Sequence, residues 1–190
     1  HPAPVAPDVP RLVVAQVDLV VETCDARIPE SSRNPELDRL RGTKPRILVL
    51  NKSDLADPVQ TNRWLEHYQK ANIPVLACEG NRRTSLEPLR KLIISMNQHK
   101  IDAAKAKGRL IRPIRVMVVG IPNTGKSTII NALCGKKIAA TADRPGVTRH
   151  ANWSKSGTEL ELLDTPGVLW PKLGSPSSQR RLAASGAIKD

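Results

Sequence analysis

The stretch that decides the fold runs from residue 114 to residue 127: Ile114-Arg-Val-Met-Val-Val119, then Gly120-Ile-Pro-Asn-Thr-Gly125-Lys126-Ser127. The first six residues are short, β-branched and almost wholly apolar, as in a strand buried on both faces of a parallel sheet. The next eight fit G-x-x-x-x-G-K-[ST], and Thr128–Cys134 reads as a helix closed by Gly135. Strand, glycine-rich loop and helix together are the context that makes this pattern a phosphate-binding loop. The glycines let the backbone curl so that its N–H groups point inward, and the helix N-terminus adds partial positive charge. Lys126 is placed to reach β- and γ-phosphates, and the Ser127 hydroxyl to reach Mg²⁺. The candidate phosphate contacts are Gly120, Pro122, Asn123, Thr124, Gly125, Lys126, Ser127 and Thr128.

Further along, Asn152–Ser156 and Glu159–Leu163 predict a hairpin turning at Ser156-Gly157. It delivers Asp164-Thr-Pro-Gly167, an acid at the end of an apolar strand followed by a tight turn. Behind a phosphate-binding loop, this is the second metal-side element of a P-loop nucleotide hydrolase. Asp164 is the candidate Mg²⁺ ligand, acting through a bound water, and the Gly167 N–H the sensor of the γ-phosphate. Between the two lies Asp143-Arg-Pro-Gly-Val-Thr148, whose Thr148 hydroxyl can complete the metal shell when the loop orders. Lys126, Thr148 and Gly167 are thus the candidate catalytic groups, with Ser127, Thr148 and Asp164 as the Mg²⁺ set.

Upstream, the apolar run Arg46–Leu50 is followed by Asn51-Lys52-Ser53-Asp54, the N-K-x-D pattern of guanine recognition. Asp54 can accept from guanine N1–H and N2–H₂, a donor pair that adenine lacks, so adenine would leave the carboxylate unpaired. Asn51 supports the base edge and ties the loop down, and the Lys52 stem packs on the base or braces the phosphate loop. Ile73–Cys78 predicts the next strand, and Ala77-Cys78-Glu79-Gly80 the loop that completes the base pocket, with Cys78, Glu79 and Gly80 as contacts. Val17–Thr23 predicts an earlier strand, Pro58–Ala71 a helix capped by Asp57, and Leu86–Lys107 one long helix closed by Gly108.

The order of these elements is the anomaly. In a Ras-like chain the phosphate loop comes first and N-K-x-D last; here residues 51–54 precede residues 120–127. Circular permutation of one domain is the simplest account, the old termini joined through the helix at 86–107 and the linker Arg109–Arg112. The expected fold is α/β: a P-loop NTPase (Ras-like) three-layer fold with a mostly parallel sheet, circularly permuted. Residues 1–12, rich in proline, read as an extended lead-in, and 13–190 as the permuted G domain.

Composition narrows the partners. The 190 residues carry a net charge of +12, with pI near 10.1, which points to a polyanionic partner, nucleic acid or an acidic membrane surface, between which charge alone does not choose. Aromatics are 2% of the chain and Phe is absent, which disfavours a single-strand binder built on base stacking. Cys24, Cys78 and Cys134 form no C-x-x-C pair, which excludes a disulfide framework or zinc ribbon. No apolar run reaches the ~20 residues of a membrane helix, so no membrane-spanning segment is expected; with a nucleic acid as the polyanion, no membrane partner is expected either.

These motifs, in this order, resemble the circularly permuted GTPases of the YlqF/RbgA family, ribosome-assembly factors of bacteria and organelles. Asp25-Ala-Arg-Ile-Pro-Glu-Ser-Ser-Arg-Asn-Pro35 is similar to the family's D-A-R-x-P segment, and Asp164–Pro171 and Gly186–Asp190 to its later motifs. The resemblance spans about residues 17–190. It implies GTP hydrolysis to GDP coupled to maturation of the large ribosomal subunit, with that subunit and its rRNA as partners. It also implies a monomer, without DNA, in the bacterial cytoplasm, or alternatively a mitochondrial or other organelle matrix. Asn123 resembles the residue that holds K⁺ in several such GTPases. The family's N-terminal Pro-Gly-His-Met motif is missing, and the chain stops before the family's helical C-terminal domain, so a fragment or trimmed chain is expected. Val168 stands where Ras-like enzymes often place a water-orienting Gln, so intrinsic turnover is expected to be slow. Two alternatives stay open: an RNA-binding scaffold that keeps GTP as a structural ligand, and an ATP-using enzyme with a fortuitous N-K-S-D.

Overall fold

The computed structural model describes residues 9–34, 36–121, 124–135 and 152–164. Six strands form one sheet: β1 (Leu19–Asp25), β2 (Arg46–Asn51), β3 (Val75–Ala77), β4 (Ile114–Val119), β5 (Asn152–Ser156) and β6 (Leu160–Asp164). Their spatial order is β3-β2-β1-β4-β6-β5, parallel throughout except for the β5–β6 hairpin. From β1 the chain moves outward through β2 and β3. It then returns to lay β4 against the other edge of β1, and β6 and β5 extend the far side. The boundary between β1 and β4 is therefore a topological switch point, where open α/β sheets hold their ligands at the carboxyl ends of the strands.

Every residue of β1 and β2 is buried, as the unbroken apolar runs imply. Alternate side chains feed two cores. Leu19, Val21, Ile47, Val49, Val116 and Val118 pack on one face beneath α4 (Glu87–Met96) and α6 (Lys126–Cys134). Val20, Met117, Val119 and Leu163 pack on the other under α1 (Val9–Val14) and α2 (Leu37–Arg41). Cys24, Leu48 and Leu50 continue that face, packed against Tyr68 of α3 (Pro58–Lys70). Helix, sheet and helix make the three expected layers.

Local signals explain most boundaries. The Asp57 carboxylate accepts from the Val59 and Gln60 N–H groups, and Pro58 occupies the first helical position, where no N–H is needed. Gly108 and Gly135 adopt positive φ just beyond α5 (Gln98–Ala106) and α6, and Gly157 turns the hairpin.

Three expectations need correction. The lead-in read as extended over 1–12 is helical from Val9, because Pro10 lies in the first turn, where proline costs no hydrogen bond. The long helix at 86–107 is two, α4 and α5, broken at Asn97. That buried side chain donates to the Ile93 carbonyl at 2.8 Å, competing with the backbone ladder. The first strand begins at Leu19 rather than Val17: Val17 N–H still bonds back to Val14, in the turn leaving α1.

The seam between the two halves is clipped by one carboxylate. Asp18 accepts from the Arg115 N–H at 3.0 Å, Lys100 Nζ at 3.0 Å and Arg112 Nη2 at 3.1 Å. Burial pushes its pKa up, but these three donors outweigh burial and hold it below the usual aspartate range. A depressed folded pKa contributes stability above the unfolded value of about 4 and loses it as pH falls through the folded value. Asp18→Asn should therefore lower unfolding free energy by about 1–3 kcal/mol at pH 7. In urea titrations the gap between variant and parent should start to narrow below about pH 4 and close once the pH has fallen past the depressed folded value; a gap that does not change with pH would refute the clip.

Candidate functional site

The carboxyl ends of β1, β2, β4 and β6 converge on one rim. The register aligns Asp25 with Asn51, Glu22 with Val119, and Val118 with Asp164. The strands thus bring the N-K-S-D segment, the glycine-rich loop and the hairpin acid together, although the sequence separates them widely.

The loop's N-terminal side is built for close packing. A Cβ on Gly120 would lie 2.1 Å from Thr23 Oγ1 and 2.7 Å from Thr124 Oγ1, so only glycine fits. Gly125 sits at φ +87 as the residue before α6. No side chain caps that helix, and its first turn, Lys126-Ser-Thr128, holds no acid and is half-buried. Its first N–H groups and dipole are thus presented for an anion, and Gly125 already holds the left-handed conformation that leads into them.

Asn51 ties this loop to the base-side loop. Its Nδ2 donates to the Thr124 carbonyl at 2.9 Å, and its Oδ1 accepts from the Gly80 N–H at 2.8 Å. The Cys78 thiol also donates to Oδ1, at 3.6 Å, and the Ser53 N–H bonds the Cys78 carbonyl. Burial, with Glu79 nearby, pushes the Cys78 pKa up to about 12, so the group stays a thiol and a donor. The Glu79 N–H donates to Ser85 Oγ at 2.8 Å, fixing the far side of this loop. Ala77–Gly80, matched only by position in the sequence, is thus joined directly to the N-K-S-D segment.

Lys52 takes a left-handed backbone conformation, φ +59, which starts the turn carrying Asp54 into solvent. Its Nζ lies 3.9 Å from Asp25 Oδ2. Asp25 is fully buried and doubly bonded by Arg27, Nε to Oδ1 at 2.9 Å and Nη2 to Oδ2 at 2.6 Å. Burial raises the Asp25 pKa, but Arg27 and Lys52 hold it below the ordinary range. The Asp25-Ala-Arg27 segment therefore braces the base-side loop, a role that spacing alone did not reveal.

On the other side of the loop, Lys126 Nζ lies 2.9 Å from Asp164 Oδ1. That oxygen is buried, and among the described residues it accepts no hydrogen bond in good geometry. A buried carboxylate oxygen paired with Lys126, and the Ser127 hydroxyl in the same first turn of α6 as Lys126, are oxygen donors of the kind Mg²⁺ takes. Pro122, Asn123, Thr148 and Gly167 lie outside the described residues. Among the described residues, no helix is long and apolar enough to cross a membrane.

A phosphate loop at the switch point, an N-K-x-D turn bonded to it and an acid from the neighbouring strand define a P-loop GTPase-type domain whose motifs run in permuted order. Comparison with known proteins agrees. The family described as "50S ribosome-binding GTPase" matches residues 115–188. Ribosome biogenesis GTPase A of Priestia megaterium is 50% identical over 175 residues, 92% of this chain and 61% of that protein. Mitochondrial ribosome-associated GTPase 1 of Mus musculus is 35% identical over 92% of this chain and 55% of its own length. Among solved structures, a GDP-bound YlqF matches at TM-score 0.65 and 30% identity, over 95% of this chain and 68% of that one. YlqF from T. maritima bound to GNP matches at the same TM-score over 94% and 64%. The chain belongs to the ribosome biogenesis GTPase A (YlqF) family. It spans about three-fifths of the length of curated bacterial relatives such as the Priestia megaterium protein.

Asn51→Ala would leave the buried Thr124 carbonyl and Gly80 N–H without partners. It should cost about 2–5 kcal/mol of unfolding free energy, seen as a lower urea midpoint at unchanged slope. A shift of a few tenths would mean that the two loops are held apart from Asn51.

Proposed function

We propose that this chain is the G domain of a ribosome-assembly GTPase, binding GTP and hydrolysing it to GDP and phosphate as a switch in maturation of the large ribosomal subunit. The observation that carries the reading is the Asn51 bridge. One carboxamide holds the base-recognition turn, the loop at Gly80 and the phosphate loop in one frame, so base and phosphates can be read together.

In this reading Asp54 accepts from guanine, with Lys52, Cys78, Glu79 and Gly80 around the base. Gly120, Pro122, Asn123, Thr124, Gly125, Lys126, Ser127 and Thr128 cradle the phosphates. Ser127, Asp164 and Thr148 hold Mg²⁺, which supplies neutralising charge to the phosphate oxygens, and Asn123 holds K⁺. Lys126 faces the γ-phosphate and the Gly167 N–H senses it. Val168 has no polar group to orient water, so partner contacts supply what intrinsic turnover lacks. The +12 charge fits rRNA as the polyanionic partner, in the bacterial cytoplasm or, alternatively, an organelle matrix. The domain assignment is residues 13–190, with the helix from Val9 as its lead-in.

Asp54→Asn should cut the preference for GTP over ATP on the order of 100-fold, measured by competition against a fluorescent nucleotide. Preference retained in full would remove the guanine assignment. Steady-state GTP turnover in potassium buffer should rise at least ~10-fold when purified large subunits are added, a barrier change of about 1.4 kcal/mol. Tight GTP binding with no stimulation would favour the scaffold, for which Val168 is the one supporting residue.

A further inference from the structure

The phosphate loop is held from beneath by a hydroxyl that belongs to none of the nucleotide-binding motifs. Thr23 lies at the carboxyl end of β1 and is fully buried. Its Oγ1 is 3.1 Å from the Val119 carbonyl, the last residue before the loop, and 3.0 Å from Thr124 Oγ1 within it. Thr124, also fully buried, has its hydroxyl 2.8 Å from the Ile121 carbonyl. These contacts reach both arms of the loop, residues 119–121 on one side and 124 on the other. Thr124 is thereby gripped twice, its hydroxyl by β1 and its carbonyl by Asn51 from β2. The need for glycine at 120 has the same origin, since a Cβ there would strike Thr23 Oγ1.

Proton counting makes the two hydroxyls a unit. They carry two protons between them, and three contacts call for one: Val119 O, Ile121 O and the hydroxyl pair itself. Ile121 O keeps a donor in any case, the Thr124 N–H at 3.4 Å. So Thr23 can donate to Val119 O while Thr124 donates to Thr23, one chain of hydroxyls that links the two arms of the loop through β1. Removing either breaks the link: without Thr23 the Val119 carbonyl loses its side-chain donor and the Thr124 hydroxyl can only turn back to the Ile121 carbonyl inside the loop, and without Thr124 the Thr23 hydroxyl no longer reaches the loop's second arm.

We propose that Thr23 is a positioning residue for the phosphate loop, acting through Thr124 as a two-hydroxyl strut between β1 and the loop. This rests on the reading of residues 120–128 as a nucleotide site. The experiment has two readouts, which separate that reading from the strut.

In the nucleotide-free chain, amide hydrogen exchange at residues 124–128 reports the strut alone. Thr23→Val, nearly isosteric, should speed exchange there about tenfold, and Thr23→Ser should hold it near the parent rate. Unchanged exchange in Thr23→Val overturns the proposal whatever the nucleotide does. In the second readout, titration with fluorescent GDP, Thr23→Val should bind about tenfold more weakly and Thr23→Ser within about threefold. Preference for guanine over adenine nucleotides should not change, because the base side is untouched. Thr124→Val makes the reciprocal cut and should lose as much, which keeps the proposal testable if Thr23→Val does not fold. Both single cuts break the same link, so the double variant Thr23→Val/Thr124→Val should lose little more than Thr23→Val alone. Additive losses, or a Thr23→Ser variant as weak as Thr23→Val, would overturn the strut. A parent chain that binds no GDP would overturn the nucleotide-site reading, and with it the service the strut performs.

Discussion

The site depends on a single side chain that spends both ends of its amide on backbone. Asn51 gives a proton to the Thr124 carbonyl and takes one from the Gly80 N–H, in a place that water does not reach. Each backbone group would otherwise be buried without a partner, so the two loops cannot separate without a penalty at both. Nothing else at this position has the reach, the donor and the acceptor together. Aspartate lacks the donor, and glutamine places its amide one carbon further out. Two loops carried by different strands thereby move as one body.

That body exists because β1 and β4 are neighbours. Permutation has not altered the sheet; it has altered only which connections are covalent. The strands that carry base recognition come first in the chain and those that carry phosphate recognition come second, and their junction is the parallel pairing of Leu19–Glu22 with Val116–Val119. The long linker through α4 and α5 has no chemistry to perform at the rim. It has to return the chain to the opposite edge of β1, and Asp18 fastens its end there through Lys100, Arg112 and the Arg115 N–H.

Much of this could be read from residues in order, and the exceptions share a cause. Asp57 before Pro58, glycine at 108 and 135, and the turn at Gly157 are local rules, and each marks a boundary that the fold keeps. The glycine-rich loop and N-K-S-D could be recognised because their spacing is short and fixed. Asn97 broke a helix that its neighbours favoured, because its burial turned the side chain toward the Ile93 carbonyl, and burial is a tertiary fact. Pro10 misled in the other direction: proline density suggests extended chain, yet a first-turn proline is compatible with α1. Least legible were Asp25 beneath Lys52 and Thr23 beneath Gly120. Thr23 and Thr124 are 101 residues apart in the chain, and no period or motif announces that they touch.

The central strand pair also bears on how the molecule is made. Threonine 23 bonds a carbonyl 96 residues later. During synthesis from the amino end at ~5–20 residues per second, β1 has to wait roughly 5–20 s for its second partner. Throughout that interval β2 can cover one edge of Leu19–Asp25, while the other edge, apolar and hydrogen-bond hungry, stands open. A conventional order of the same elements would deliver the phosphate-loop strand first and shift that exposure to a different strand. Permutation therefore sets a vulnerable window during birth, in which a nascent chain must be kept from pairing with its neighbours.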